Sequence, residues 1–167
     1  MPVQKTMDEG QRSVPDTNDS PNEKLLFLRE NMVHLTDQLS MPVIEIALVV
    51  SKYIRILLDS LKMAASKSDE TLPETILFPI PIEPSNGDSI LVQDLSSFPL
   101  EKLIDRVDQD RIDILDTLIR TVVNESELEF THALQELRQW EVEIRKQLSE
   151  VSSPGGLFSP LVLSDGF

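Results

Sequence analysis

Along most of this chain apolar residues recur at alternating spacings of three and four, and prolines interrupt the repeat. This feature limits the possible folds more than any other. A period near 3.6 residues belongs to α-helices that bury one face, and proline ends or kinks a helix because it lacks an amide donor. The repeat and its breaks predict an all-α fold: helical hairpins forming either a four-helix bundle or an extended coiled-coil-like assembly.

The first helix is announced by Ser20-Pro21-Asn22-Glu23, with a hydroxyl cap, a proline at the first helical position and an acid three residues after the cap. Leu25, Leu28, Met32, Leu35 and Leu39 then trace a narrow seam of the coiled-coil kind. Pro42 predicts a break, because the ring disfavours helix at Met41. From Val43 to about Met63 the apolar positions Val43, Ala47, Val50, Ile54, Leu57 and Leu61 repeat again. Ile44, Ile46, Leu48, Val49, Tyr53, Ile56 and Leu58 widen that face beyond what one neighbouring helix could cover.

A third helix is expected from near Pro99, with Leu100, Ile104, Val107, Ile114, Leu115, Leu118 and Val122 on one face. Ser126 and Glu129 have the spacing of a second capping box, which leaves two readings open, a break at 124–126 or a helix that runs on. Phe130, Leu134, Leu137, Ile144, Leu148 and Val151 carry the last seam, with Trp140 beside it and Glu141 intruding on it. The expected organisation is a disordered tail over 1–19, a first helical pair over 20–64 and a Pro-rich acidic linker over 65–98. A second pair follows over 99–151, and a flexible apolar tail over 152–167.

Within the linker, Ile76-Leu77-Phe78-Pro79-Ile80-Pro81-Ile82-Glu83-Pro84 reads as an extended, polyproline-like strip. Asn86-Gly87-Asp88 is a turn signal. Near the end of the chain Leu157, Phe158, Leu161, Val162 and Leu163 form a compact apolar cluster.

Several kinds of chemistry lack their residues. With no cysteine the chain has no thiolate nucleophile, disulfide or cysteine-based zinc site, and five glycines leave no phosphate-cradling loop. His34 and His132 are the only imidazoles, and neither has a partner at metal-ligand spacing. Asp108, Asp110 and Asp113 invite comparison with a calcium loop, but Ile112 falls where an acid is needed and Asp113 where glycine is needed. The acids at 105, 108, 110, 113 and 116 read instead as the wet face of an amphipathic helix, with Asp116 and Arg120 as a favourable pair one turn apart. No catalytic residue, cofactor or metal is expected.

The net charge of −14 disfavours direct nucleic-acid binding, which depends on clustered lysine and arginine. Acids and bases balance over residues 21–66, so the excess of acid lies elsewhere in the chain. The most apolar run, Met41 to Val50, is too short and too charged to span a bilayer, and no basic-then-apolar leader opens the sequence. A nuclear or cytoplasmic location is expected.

The sequence thus points to binding of other proteins. The leading expectation is a non-catalytic helical subunit that joins a hetero-oligomer of helical partners through its seams. In style this resembles small subunits of large eukaryotic assemblies such as kinetochore or transcription-coactivator complexes. The alternative is a self-contained adaptor presenting 76–84 and 157–167 as linear motifs, and a small enzyme or ligand-binding bundle ranks last. The candidate partner-binding residues are Leu25, Leu28, Met32, Leu35 and Leu39 on the first seam, and Phe78, Ile80 and Ile82 on the strip. Trp140, Ile144 and Leu148 on the last seam join them, with Phe158, Leu161, Val162 and Leu163 in the tail. Ser20, Ser153 and Ser159 each precede proline and are candidate phosphorylation sites, expected to act oppositely at a helix start (Ser20) and in an apolar tail (Ser159).

Overall fold

The computed structural model describes residues 14–82 and 105–167. Among these the chain is mostly helical and has no strand. The helices are α1 (Pro21–Gln38), α2 (Val43–Lys67), the single turn α3 (Glu74–Leu77), α4 (Gln109–Glu125) and α5 (Phe130–Ser149), followed by a 3-10 turn, η1 (Pro154–Phe158). The expectations for residues 1–13, for 83–98 and for the start of the third helix near Pro99 lie outside the described residues.

Helix α1 begins as its sequence predicts, with the Glu23 amide donating to Ser20 Oγ at 3.2 Å. Three helices end in the same way. Ser40, Asp69 and Glu127 adopt φ of 45°, 52° and 52° just beyond α1, α2 and α4. The following amides of Met41, Glu70 and Leu128 return to the carbonyls of Thr36, Ala65 and Val123 at 3.0, 2.9 and 3.1 Å. These are Schellman closures built without the glycine that usually supplies the left-handed residue.

Ser126 therefore does not cap the last helix, as the Ser126–Glu129 spacing suggested. It is buried, and its Oγ donates backward to Val122 O at 2.5 Å, closing α4. The third helical stretch also contains a break that its periodicity concealed. Residues 105–106 are helical, Val107 is not, and α4 starts afresh with Asp108 accepting from the Asp110 and Arg111 amides at 2.9 and 3.3 Å. Of the aspartates read as a wet face, Asp108 is thus a cap and Asp116 is buried.

Helices joined in sequence are not the ones that pack together. The most extensive contact is between α2 and α5, and α1 packs on α4 and α5 while α2 also packs on α4 and η1. Neither α1 with α2 nor α4 with α5 forms a comparable interface. The two halves interlock, so each covers the apolar face of the other. This explains most of the broad apolar girth of α2, which α5, α4 and η1 of its own chain cover except on the outer side, where Leu48 and Ile56 stay exposed.

One core cluster runs through all the long helices, with Leu28, Met32, Ile46, Leu115, Ile119, Leu134, Leu137 and Trp140 fully buried. A smaller cluster sets Ile44 against Leu157 of η1. There Gly156 is required for space, since a Cβ on it would lie 2.5 Å from Val151 Cγ1.

Candidate functional site

Helix α5 is the spine on which both irregular apolar segments lie. On one flank runs the strip, which is not extended from Ile76 as expected: Ile76 and Leu77 close the helical turn α3, and the chain becomes extended at Phe78. Arg138, only 3% exposed, donates from Nη2 to Ile76 O at 2.9 Å and to Leu77 O at 3.3 Å, and from Nε to Ile76 O at 3.3 Å. Its Nη1 pairs with Glu141 at 3.0 Å, so the seam-breaking Glu141 serves to hold this guanidinium in place. Seven residues along the same helix, Arg145 Nη1 donates to Ile80 O at 2.5 Å. Two turns of α5 therefore grip the backbone of the strip by its carbonyls.

The grip sorts the side chains of the strip. Ile76 is buried and Ile80 and Ile82 are half-buried, whereas Phe78 is 60% exposed and Pro79 and Pro81 face outward. Phe78 itself is extended, with φ −123° and ψ 150°. Ile80 shares a shallow recess with Leu25 of α1, which brings together two of the residues the sequence singled out.

The other flank carries the tail, which is docked along residues 157–167 rather than free. Ser159 O accepts from the Val43 amide at 2.8 Å, and the Leu161 amide donates to Met41 O at 3.2 Å, forming an isolated bridge between Pro42 and Pro160. The Gln147 side chain then binds the tail in both senses, donating to Pro160 O at 3.0 Å and accepting from the Val162 amide at 2.8 Å. Glu143 accepts from the Ser164 amide at 2.6 Å. Burial would raise the Glu143 carboxyl, but the Ser164 bonds and the Lys146 charge outweigh it and hold the group below the usual carboxylate range.

At the end of the tail, the Phe167 ring meets the Trp140 ring edge-on, with centroids 5.1 Å apart at 84°. The Arg29 guanidinium lies over the same Phe167 ring at 4.5 Å. Buried Glu136 ties the clamp together, accepting from Trp140 Nε1 at 3.0 Å and Arg29 Nε at 2.8 Å. An open cleft of about 850 Å³ remains between the tail and α1, lined by Leu26, Val33, Val162 and Leu163 among others.

The structure therefore divides the candidate partner-binding residues. Leu28, Met32, Trp140 and Ile144 are interior, and Leu25, Leu35, Leu39, Leu148, Leu161 and Leu163 pack partly buried against the same core. Phe158 is half-buried beneath the Arg106 guanidinium, 4.3 Å from its ring centre. Phe78 and Val162, at 60% and 76% exposure, are the two most outward-facing of the set. Sequence reasoning missed Arg138, Arg145, Gln147, Arg29, Glu136 and Phe167. The i,i+7 spacing of Arg138 and Arg145 was the available signal, since it puts both on one face of α5.

Ser20, Ser153 and Ser159 are all exposed. Ser159, expected within a free apolar tail, instead lies at the start of α2 through its carbonyl bond to Val43. Among the described residues, no group of three or more His, Asp or Glu is placed to hold a metal ion, and no helix is long and apolar enough to cross a membrane. No family model, curated protein or solved structure matches this chain.

Proposed function

We propose that this protein is a non-catalytic, self-contained helical adaptor that presents the strip at 76–82 to partner proteins. One observation carries the reading. A buried arginine and its neighbour one heptad on hold the strip's backbone, while Phe78 is turned to solvent. An exposed aromatic on an ordered, extended backbone has little conformational entropy left to lose on binding, which favours association. Its outward neighbours are prolines, and proline-rich extended segments suit aromatic-lined grooves.

Assembly through open helical seams, as a subunit of a larger nuclear complex, finds less support, because most seam residues pack against the chain's own core. Such an adaptor would work inside the cell, in the nucleus or cytoplasm, where a cysteine-free chain needs no disulfides.

The test is affinity capture from native lysate with the full chain and with Phe78→Asp, read by quantitative mass spectrometry. The adaptor reading expects a defined partner set that the variant loses while its thermal melt stays within about 0.5 kcal/mol of the parent, as for an exposed site. An identical partner set from both proteins would contradict it.

A further inference from the structure

The outward face of α2 runs against the electrostatic character of the rest of the chain. Leu48, Ile56 and Met63 are 42%, 44% and 63% exposed. At about 100° per residue they fall within an arc of about 80°, with Arg55 and Lys62 along one edge. The stripe spans about 22 Å at the helical rise, enough for four turns of a second helix. Asp59 and the half-exposed Lys52 also lie within the arc, and Lys52 is already paired with Asp116.

Arg55 and Lys62 have no ionic partner among the described residues, even though Asp59 lies between them on the same helix. In a chain of net charge −14, these three apolar side chains, with Asp59 among them, are edged by two cations that have no ionic partner among the described residues. Beyond a Debye length of about 8 Å at physiological salt the overall negative charge is largely screened, so local pairing decides what docks here.

We infer that the outer face of α2 receives an acidic amphipathic helix from a partner protein. The partner's apolar positions cover Leu48, Ile56 and Met63, and its Asp or Glu residues pair with Arg55 and Lys62. This surface is separate from the strip at 76–82, and the two can fail independently.

The test uses two labelled synthetic peptides with the same heptad-spaced leucines, one flanked by glutamate and one by lysine, titrated into the full chain by fluorescence anisotropy. The acidic peptide binds, and the Arg55→Glu/Lys62→Glu double variant weakens it at least tenfold while gaining the lysine peptide. Ile56→Asp weakens the acidic peptide, and Phe78→Asp changes the affinity for neither peptide. No binding of the acidic peptide, or equal affinity for both peptides, overturns the inference. Self-association of the chain that Ile56→Asp abolishes also overturns it, by assigning the stripe to a second copy.

Discussion

The Tyr53 hydroxyl donates to Asp116 Oδ1 at 2.5 Å, joining α2 to α4 across the core, and Lys52 holds the other carboxylate oxygen. Burial first, then the hydrogen bond and charge of Asp116, push the Tyr53 hydroxyl well above its ordinary range. For Asp116, burial acts upward but is outweighed by the Lys52 and Tyr53 hydrogen bonds and by the Lys52 and Arg120 charges, so its carboxyl sits below the usual range.

These two shifts have opposite pH signatures. The stabilisation from Asp116 is fully present above the unfolded carboxylate value of about 4 and is lost as pH falls through the lower folded value. That from Tyr53 is fully present below about pH 10 and is lost as pH rises toward the higher folded value. Tyr53 is the single tyrosine, so tyrosinate absorbance should appear only as the protein unfolds in alkali. Asp116→Asn should cost about 1–3 kcal/mol in denaturant melts near neutral pH and flatten the acid limb of the stability profile.

Glu45 is fully buried near the start of α2, where it accepts from Arg111 at 2.8 and 2.7 Å and from the Asp108 amide at 3.0 Å. Arg111→Ala leaves that carboxylate without its counter-ion. The expected loss is about 3 kcal/mol, the low end for a broken buried pair because the Arg111 side chain is 30% exposed. The double variant Glu45→Leu/Arg111→Leu should lose less than Arg111→Ala alone. A double variant that loses more would mean that the pair, and not the relief of an unpaired charge, dominates at this site.

The single tryptophan reports on the tail. Truncation should begin after Ser159, because Leu157 is core and Ser159 O caps α2. Removing 160–167 should red-shift Trp140 emission while helical circular dichroism persists. Phe167→Ala should give a smaller shift and cost about 0.5–1.5 kcal/mol, the range for an aromatic pair.

Glu127 occupies a left-handed conformation that costs a non-glycine residue about 1–2 kcal/mol. Glu127→Gly should therefore stabilise the protein by up to about 1 kcal/mol, measured as a raised denaturation midpoint at unchanged slope. Destabilisation would show that the Glu127 side chain makes a contribution larger than its backbone strain.

What could be read in the sequence was what depends on near neighbours. Ser20, Pro21 and the seam from Leu25 to Leu39 place α1 by local rules alone, and Pro42 places its end. Ser126 was misread because a hydroxyl followed three residues later by an acid suits a helix start, yet the same hydroxyl also reaches the carbonyl four residues back. Without glycine at 40, 69 or 127, nothing in the sequence marked the left-handed stops. The candidate site depends on pairs far apart in the chain, Arg138 with Ile76 and Trp140 with Phe167, which no local pattern encodes. The girth of α2 was visible in the sequence, but the elements that cover it, η1 among them, were not.

The adaptor account is tested most directly by a photoreactive phenylalanine analogue placed at 78 in the full chain and irradiated in cells. The account predicts covalent adducts with another protein at that position, reduced several-fold when Arg138→Ala frees the strip. Adducts only within the chain, or none, would contradict the claim that Phe78 is presented to a partner.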